Sequence, residues 1–139
     1  NAFTTFDRTV YSFSTLNNLN LCLELLLELV QTKKYTEDSI NNERQNINQE
    51  IKMYENMTSN VHYRESLCSM YHYNQIRNEI TGTIDSVEKV NKEVLDICYD
   101  AFYHPSNMCL VVVGNFDLQE VLNLIKNDQS KRKFRDFGI

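Results

Sequence analysis

Isoleucine recurs at helical spacing between residues 36 and 55, and two glutamates interrupt the pattern. At about 100° per residue, four apolar side chains fall within roughly 60° of arc on a helix: Ile40, Ile47, Ile51 and Tyr54. Thr36 is suited to cap this helix, and acidic residues follow in the first turn, where the helix dipole favours them. We therefore predict a helix over residues 36–55 with one apolar stripe facing a core.

Glu43 and Glu50 lie within or at the edge of this stripe, because each comes three residues after one stripe residue and four before the next. Spacing alone leaves two interpretations open. The helix can be rotated so that both carboxylates reach water at the rim of the stripe. Alternatively both are buried, and an unpaired carboxylate in an apolar setting is costly enough to require a metal ion, an arginine or a proton.

The distance between the two carboxylates limits any metal site. Seven residues of helix separate their positions by about 10 Å, so one can bind a metal while the other supports it from behind. Catalytic zinc normally takes three protein ligands, with histidine prominent. The three histidines, His62, His72 and His104, lack metal-ligand spacing and are interpreted as structural. The rest of such a site would lie outside this chain.

The other segments predict an α+β fold rich in helix. A β-hairpin is expected over residues 1–14, with its turn at Asp7 and Arg8, because Phe, Thr, Tyr and Val suit strands. The continuous apolar run 108–113 is expected to form a buried strand. Further helices are predicted over four segments: 16–31, 61–72, 86–103 with Asp85 or Ser86 as its cap, and 117–127 with Asp117 as its cap. These strands are too few to complete a sheet by themselves.

Composition is that of a globular protein and argues against some partners. The formal net charge of −5 disfavours nucleic acid or an anionic membrane as the main partner. No apolar run is long enough to span a bilayer. Four cysteines without a C-x-x-C pair are interpreted as free core thiols, which suggests a reducing compartment. The sequence opens on Asn1 inside a strand-like run, which suggests a piece of a longer protein.

The central helix and several other segments together resemble one peptidase family. Residues 43–54 read E-R-Q-N-I-N-Q-E-I-K-M-Y, similar to the E-x-x-x-I-x-x-E-I-x-M-Y segment of the pitrilysin/insulinase family of zinc peptidases. Residues 1–11 resemble the N-A-x-T-x-x-x-x-T-x-Y hairpin of that family. Three later segments match its landmarks in order: 80–83, 102–108 and 112–117. The likeness is strongest to the bacterial cytoplasmic, processing-peptidase-like branch with the E-I-K-M-Y form.

This resemblance implies a partial metallopeptidase domain, mainly an antiparallel sheet covered by several helices. It implies that Glu50 is a zinc ligand and that Glu43 supports the site without binding the ion. The strand at Asn1, Ala2 and Phe3 would bind a peptide substrate by β-strand addition. The two histidine ligands and the general base belong to an H-x-x-E-H helix, expected about two dozen residues before Asn1.

Departures from the family pattern shape the function that we expect. The H-x-x-E-H segment is absent from the sequence, and so is the second homologous domain that closes over substrate as a clamshell. Asn74 and Gln75 stand where the family often has His-Pro. We expect a fragment of a bacterial, cytoplasmic zinc endopeptidase for unfolded peptides, which alone neither holds zinc tightly nor cleaves. The alternatives are a non-catalytic partner or scaffold subunit of the same fold and a plain helical interaction module.

Overall fold

The computed structural model describes residues 1–134, and most of their regular structure is α-helix. Two short strands, β1 (Ala2–Thr4) and β2 (Thr9–Tyr11), pair in a two-stranded antiparallel hairpin. Within the described residues the α-helices are α1 (Leu19–Gln31), α2 (Glu37–Glu55), α3 (Thr58–Met70), α4 (Ile84–Glu88), α5 (Lys92–Phe102) and α6 (Leu118–Lys131). Single 3₁₀ turns lie at Gln75–Arg77 and Pro105–Asn107. The α+β fold class is confirmed, with a smaller sheet than the sequence suggested.

The chain divides into two compact units. Among the described residues, the first unit comprises Asn1–Ala2, Tyr11–Lys33 and residues 97–134. The second comprises Phe3–Val10 and Lys34–Asp96, so it contains all of α2, α3 and α4.

The core of the first unit forms where α1 packs against α6. Leu23 and Leu27 are one helical turn apart on α1, and together with Val121 of α6 they are almost fully buried. Partly buried apolar side chains surround these three: Leu19, Val112, Phe116, Leu124 and Ile125. The buried face of α1 is therefore narrow, because Leu21, Leu25 and Leu29 on the same helix are exposed.

The core of the second unit is carried by α2, which packs against α3 and α4. The buried side chains of this core are Ile40 and Ile51 on α2 and Val87 on α4. Ile47 lies between the two α2 isoleucines on the same face and is half-buried. The isoleucine spacing thus identified the packed face of the helix correctly.

The single helix predicted over residues 86–103 is wrong, because the structure has two helices there, α4 and α5. Thr83, rather than Asp85 or Ser86, caps α4 in a reciprocal pair of hydrogen bonds with Ser86. The side chain of Asn91 then accepts a hydrogen bond from the backbone N–H of Val94 and starts α5. Asparagine competes for backbone hydrogen bonds in this way, so it interrupts a helix that apolar spacing alone would continue.

The strand predicted over residues 108–113 is also absent from the described structure. Val112 packs on the core of the first unit, but its neighbours Val111 and Val113 are 74% and 91% exposed. A strand buried on both faces needs neighbouring strands as well as a covering layer. Within residues 1–134 the hairpin contributes the only strands, and it does not pair with this segment.

Other predicted boundaries shift by a few residues. The predicted helix 16–31 begins only at Leu19, because Asn18 adopts a left-handed conformation with φ of 58°. The predicted helix 61–72 is α3, which begins and ends earlier. The predicted helix 117–127 is α6, which extends to Lys131 and is capped by Asp117 as expected. The hairpin predicted over residues 1–14 is present as β1 and β2, which are shorter than that range, and its turn lies at Phe6 and Asp7 rather than at Asp7 and Arg8.

The four cysteines are free thiols, as predicted, but they do not belong to the core. Cys22 and Cys68 are half-buried, whereas Cys98 and Cys109 are exposed. Among residues 1–134, no helix combines the length and apolar content that crossing a membrane requires.

A bidentate ion pair secures the end of α6. Arg132 donates from Nε and Nη2 to the two carboxylate oxygens of Asp128 at 2.7 and 2.8 Å, and it also reaches Thr32 at the end of α1. Both side chains are less than one-fifth exposed. These hydrogen bonds from Arg132 lower the pKa of Asp128 below its ordinary value.

Asp128→Asn should destabilise the chain at neutral pH but not in strong acid. Because the pKa of Asp128 is lowered in the folded state, its contribution is present above the ordinary aspartate pKa and is lost as pH falls through the lowered value. Urea denaturation of both proteins from pH 7 to acid would measure this difference. A gap in unfolding free energy that is constant across the series would contradict the assignment.

Leu23→Ala should lower the free energy of unfolding by about 2–5 kcal/mol, because it opens a cavity in the core of the first unit. Leu25→Ala is the matched control, since Leu25 lies in the same helix but is 55% exposed. That control should change stability by no more than about 0.5 kcal/mol. Equal losses in the two variants, measured by urea denaturation, would show that the assigned core is wrong.

Candidate functional site

The helix that carries the two glutamates is fixed at its start by a capping box. The side chain of Thr36 accepts a hydrogen bond from the backbone N–H of Ser39 at 3.2 Å, and Ser39 Oγ accepts one from the backbone N–H of Thr36 at 2.8 Å. Glu37 and Asp38 follow in the first turn. The predicted cap and the helix bounds are therefore confirmed.

Glu43 and Glu50 are both exposed, so the interpretation that buries them in the apolar stripe is wrong. Measured around the helix from Ile40, they lie at about −60° and −80°, whereas the buried and half-buried arc runs from about −40° to +80°. The helix is rotated so that Arg44 and Asn48, rather than the glutamates, share the packed side with the isoleucines. The structure therefore agrees with the other interpretation, in which both carboxylates reach water at the rim of the apolar stripe.

The two carboxylates differ in their immediate surroundings. Glu43 accepts a hydrogen bond from the side-chain amide of Asn46 at 3.2 Å. Within residues 1–134, Glu50 makes no hydrogen bond or ion pair to another side chain, so both of its oxygens are available to a ligand. Helical rise puts the two positions about 10 Å apart on one flank of α2.

Arg44 and Asn48 form polar contacts that the sequence analysis missed. Arg44 donates to the backbone carbonyl of Val90 at 2.6 Å and to the side-chain oxygen of Asn41 at 2.9 Å. Asn48 donates from Nδ2 to the carboxylate of Glu88 at 2.7 Å. The available sequence signal was spacing: Arg44 and Asn48 follow Ile40 at intervals of four residues, which extends the packed face along the helix.

The described residues do not complete a metal site. Residues 1–134 contain no group of three histidine, cysteine, aspartate or glutamate side chains placed to hold an ion. His62 and His72 are exposed, and His104 caps the 3₁₀ turn at Pro105–Asn107 by accepting from the backbone N–H of Ser106. The donor chemistry fits one carboxylate arm of a zinc site, since carboxylate oxygen is an accepted zinc ligand.

The hairpin presents the residues predicted to bind substrate. The amino group of Asn1 donates to the carbonyl of Ser12 at 2.8 Å, and the backbone N–H of Ser12 donates to the carbonyl of Asn1 at 2.9 Å. All residues of β1 are exposed, including Phe3 at 54%. Strand β1 pairs with β2 alone among the strands described, so its second edge is free of a strand partner.

Family models cover almost the whole chain. Residues 1–84 match the model described as Insulinase (Peptidase family M16), and residues 89–138 match the model described as Peptidase M16 inactive domain. Because the first match covers more than half of its length, the chain belongs to the insulinase family, peptidase family M16. Members of this family have paired domains, and the two matching models describe two different domains of that family.

Individual relatives agree with the family. The "Uncharacterized zinc protease YmfH" of Bacillus subtilis is 38% identical over 136 residues, which cover 98% of this chain and 32% of the relative. The "Probable mitochondrial-processing peptidase subunit beta, mitochondrial" of Arabidopsis thaliana is 28% identical over 127 residues, covering 91% of this chain and 24% of the relative. The chain therefore spans a third or less of these proteins.

A solved structure has the same fold. It is a crystal structure of a protein described as an M16-like peptidase from Alicyclobacillus acidocaldarius, 40% identical to this chain with a TM-score of 0.94. The match covers 98% of this chain and 32% of that one. The family resemblance stated from residues 1–11, 43–54 and the later landmarks is therefore confirmed.

Glu43→Gln and Glu50→Gln should each leave the free energy of unfolding within about 0.5 kcal/mol of the starting protein, because both side chains are exposed. Ile51→Ala is the contrast on the same helix and should cost about 2–5 kcal/mol, since Ile51 is 5% exposed. Urea denaturation measures all three. A large loss from either glutamine variant would mean that its carboxylate has a structural role.

Proposed function

We propose that the whole protein is a zinc-dependent endopeptidase that hydrolyses peptide bonds in unfolded peptides. The observation that carries this proposal is the pair of exposed carboxylates on one flank of α2, Glu43 and Glu50, seven residues apart within the family segment. Exposed carboxylates cost the fold little stability, and they are accessible to a metal ion or a substrate. A bound zinc ion would supply an activated water as the nucleophile.

Glu50 would be the one zinc ligand that this chain contributes. Its carboxylate has no competing hydrogen bond among the described residues, whereas Glu43 is engaged by Asn46. Glu43 would support the site without binding the ion, about two turns earlier on the same flank. The two histidines and the general base would come from an H-x-x-E-H helix outside this chain.

Substrate would bind along β1, at Asn1, Ala2 and Phe3. The second edge of this strand has no partner among the described strands, so the N–H and C=O groups there can pair with an extended peptide. Backbone pairing grips a chain regardless of most side chains, and it requires the substrate to be extended. That requirement favours unfolded peptides over folded proteins.

The fragment formed by residues 1–139 should neither hold zinc tightly nor cleave peptides, because catalytic zinc needs three protein ligands and this chain supplies one. In the intact protein a second homologous domain or subunit would close over the substrate as a clamshell. A cytoplasmic location in a bacterium is part of the same proposal, in keeping with the free cysteines.

The second candidate function is a non-catalytic partner or scaffold subunit of the same fold. The match of residues 89–138 to a model described as an inactive domain favours it. The gene sequence upstream of Asn1 distinguishes the two candidates. An intact H-x-x-E-H about 20–30 residues earlier supports the peptidase, whereas replaced histidines there would support the partner subunit.

Glu50→Gln in the full-length protein should abolish zinc retention, because it removes a ligand of the ion. Glu43→Gln should keep most of the zinc and lower peptidase activity, because that carboxylate only supports the site. Metal content after dialysis and cleavage of an unfolded peptide measure the two effects. Equal zinc loss in the two variants would contradict the separate roles, and full zinc retention in Glu50→Gln would refute the ligand assignment.

A further inference from the structure

The apolar contacts of α2 do not by themselves fix the rotation of the helix about its axis. Ile40, Ile47 and Ile51 all lie within about 40° of arc, so they form a narrow line along the helix. Apolar contacts are non-directional, and a narrow line of them can roll by some degrees with little loss of buried area. Directional bonds on one side of that line would prevent such rolling.

Those bonds are made by Arg44 and Asn48. The two lie at about +40° and +80° from Ile40, on the flank opposite to the glutamates. Arg44 donates at 2.6 Å to the carbonyl of Val90, and Asn48 donates at 2.7 Å to Glu88. Both acceptors belong to the end of α4 and the link that follows it, so α2 is tied to one short segment at two successive turns.

The same two side chains each leave one buried atom without a partner. Arg44 Nε is a donor and Asn48 Oδ1 is an acceptor, and neither has a hydrogen bond. A buried polar atom without a partner has lost its hydrogen bonds to water, so holding these two side chains in place has a cost in stability. Desolvating the charged guanidinium of Arg44 costs free energy, and its two neutral acceptors only partly compensate that cost. An apolar residue would fill the same space at lower cost, so the arginine is better explained by its directional hydrogen bonds.

We propose that Arg44, assisted by Asn48, is a positioning residue that sets the rotation of α2 and thereby aims Glu43 and Glu50 at the zinc site. This inference rests on the function proposed above. With side chains about 6 Å from the helix axis, a 20° roll would move the carboxylates by about 2 Å. Zinc–ligand distances tolerate only about 0.2 Å, so even a small roll would weaken the site.

The test compares Arg44→Gln with the starting protein in the full-length protein. Zinc affinity is measured by competition with a chromophoric chelator, and ligand geometry is measured by the absorption spectrum after Co²⁺ is loaded in place of zinc. We expect zinc affinity to fall about 10- to 100-fold, with an altered cobalt spectrum. Arg44→Lys should recover part of the affinity, because an ammonium group reaches a single acceptor where the guanidinium reaches two.

Arg64→Gln is the matched control, because Arg64 pairs with Glu65 and Glu79 and, among the described residues, makes no hydrogen bond to α2 or to the segment 88–90. It should leave zinc affinity and the cobalt spectrum unchanged. Glu88→Ala and Glu88→Gln form a second pair on an exposed residue. The alanine variant removes the acceptor of Asn48 and should weaken zinc binding, whereas the glutamine variant keeps an acceptor oxygen and should not.

The outcomes separate this inference from the proposed function. Unchanged zinc affinity and cobalt spectrum in Arg44→Gln would overturn it, even if the melting temperature falls. Should Arg44→Gln fail to fold, the Glu88 pair decides, and equal zinc affinity in Glu88→Ala and Glu88→Gln would overturn it. If Glu50→Gln loses zinc while Arg44→Gln does not, the positioning role of Arg44 is refuted and the proposed function stands. If Glu50→Gln keeps zinc, the assignment of Glu50 as a ligand is refuted, and the positioning role is refuted with it.

Discussion

The packing of three isoleucines of α2 against its neighbours is the contact on which the candidate site depends. Ile40 and Ile51 are almost fully buried, Ile47 is half-buried between them, and Val87 of α4 completes the buried set of this unit. Because this apolar line is narrow, the flanks of the helix are free for polar side chains. One flank carries the two carboxylates and the other carries Arg44 and Asn48, so a single helix both anchors itself and presents its acids.

Exposure of Glu43 and Glu50 changes the physical reason for assigning them a role. Buried acids would have required a partner to compensate their desolvation. Exposed acids require none, and a ligand carboxylate must in any case be reachable by the ion that it binds. Family membership and their place in the family segment carry the assignment instead, and α2 contributes the rigidity that a ligand needs.

Local signals predicted most of the helices, and competing local signals account for the errors. Thr36 and Asp117 cap their helices as expected, because the hydroxyl or carboxylate and the backbone N–H it binds lie within one turn. Thr83 and Asn91 were overlooked, and their hydrogen bonds divide the expected helix 86–103 in two. The strand prediction for residues 108–113 was wrong for another reason. An apolar run favours burial, but it does not determine which strands or helices pack beside it.

The sequence by itself determined the helix that carries the glutamates, the hairpin and the peptidase family. Each of these follows from residue spacing or from an ordered series of motifs, which are properties of the chain alone. Only the tertiary structure decided which edge of the isoleucine stripe is covered. At about 60–80° from the stripe centre, a side chain is buried or exposed according to what packs beside it. Here the link after α4 lies along the Arg44 side, and that placement leaves the glutamates in water.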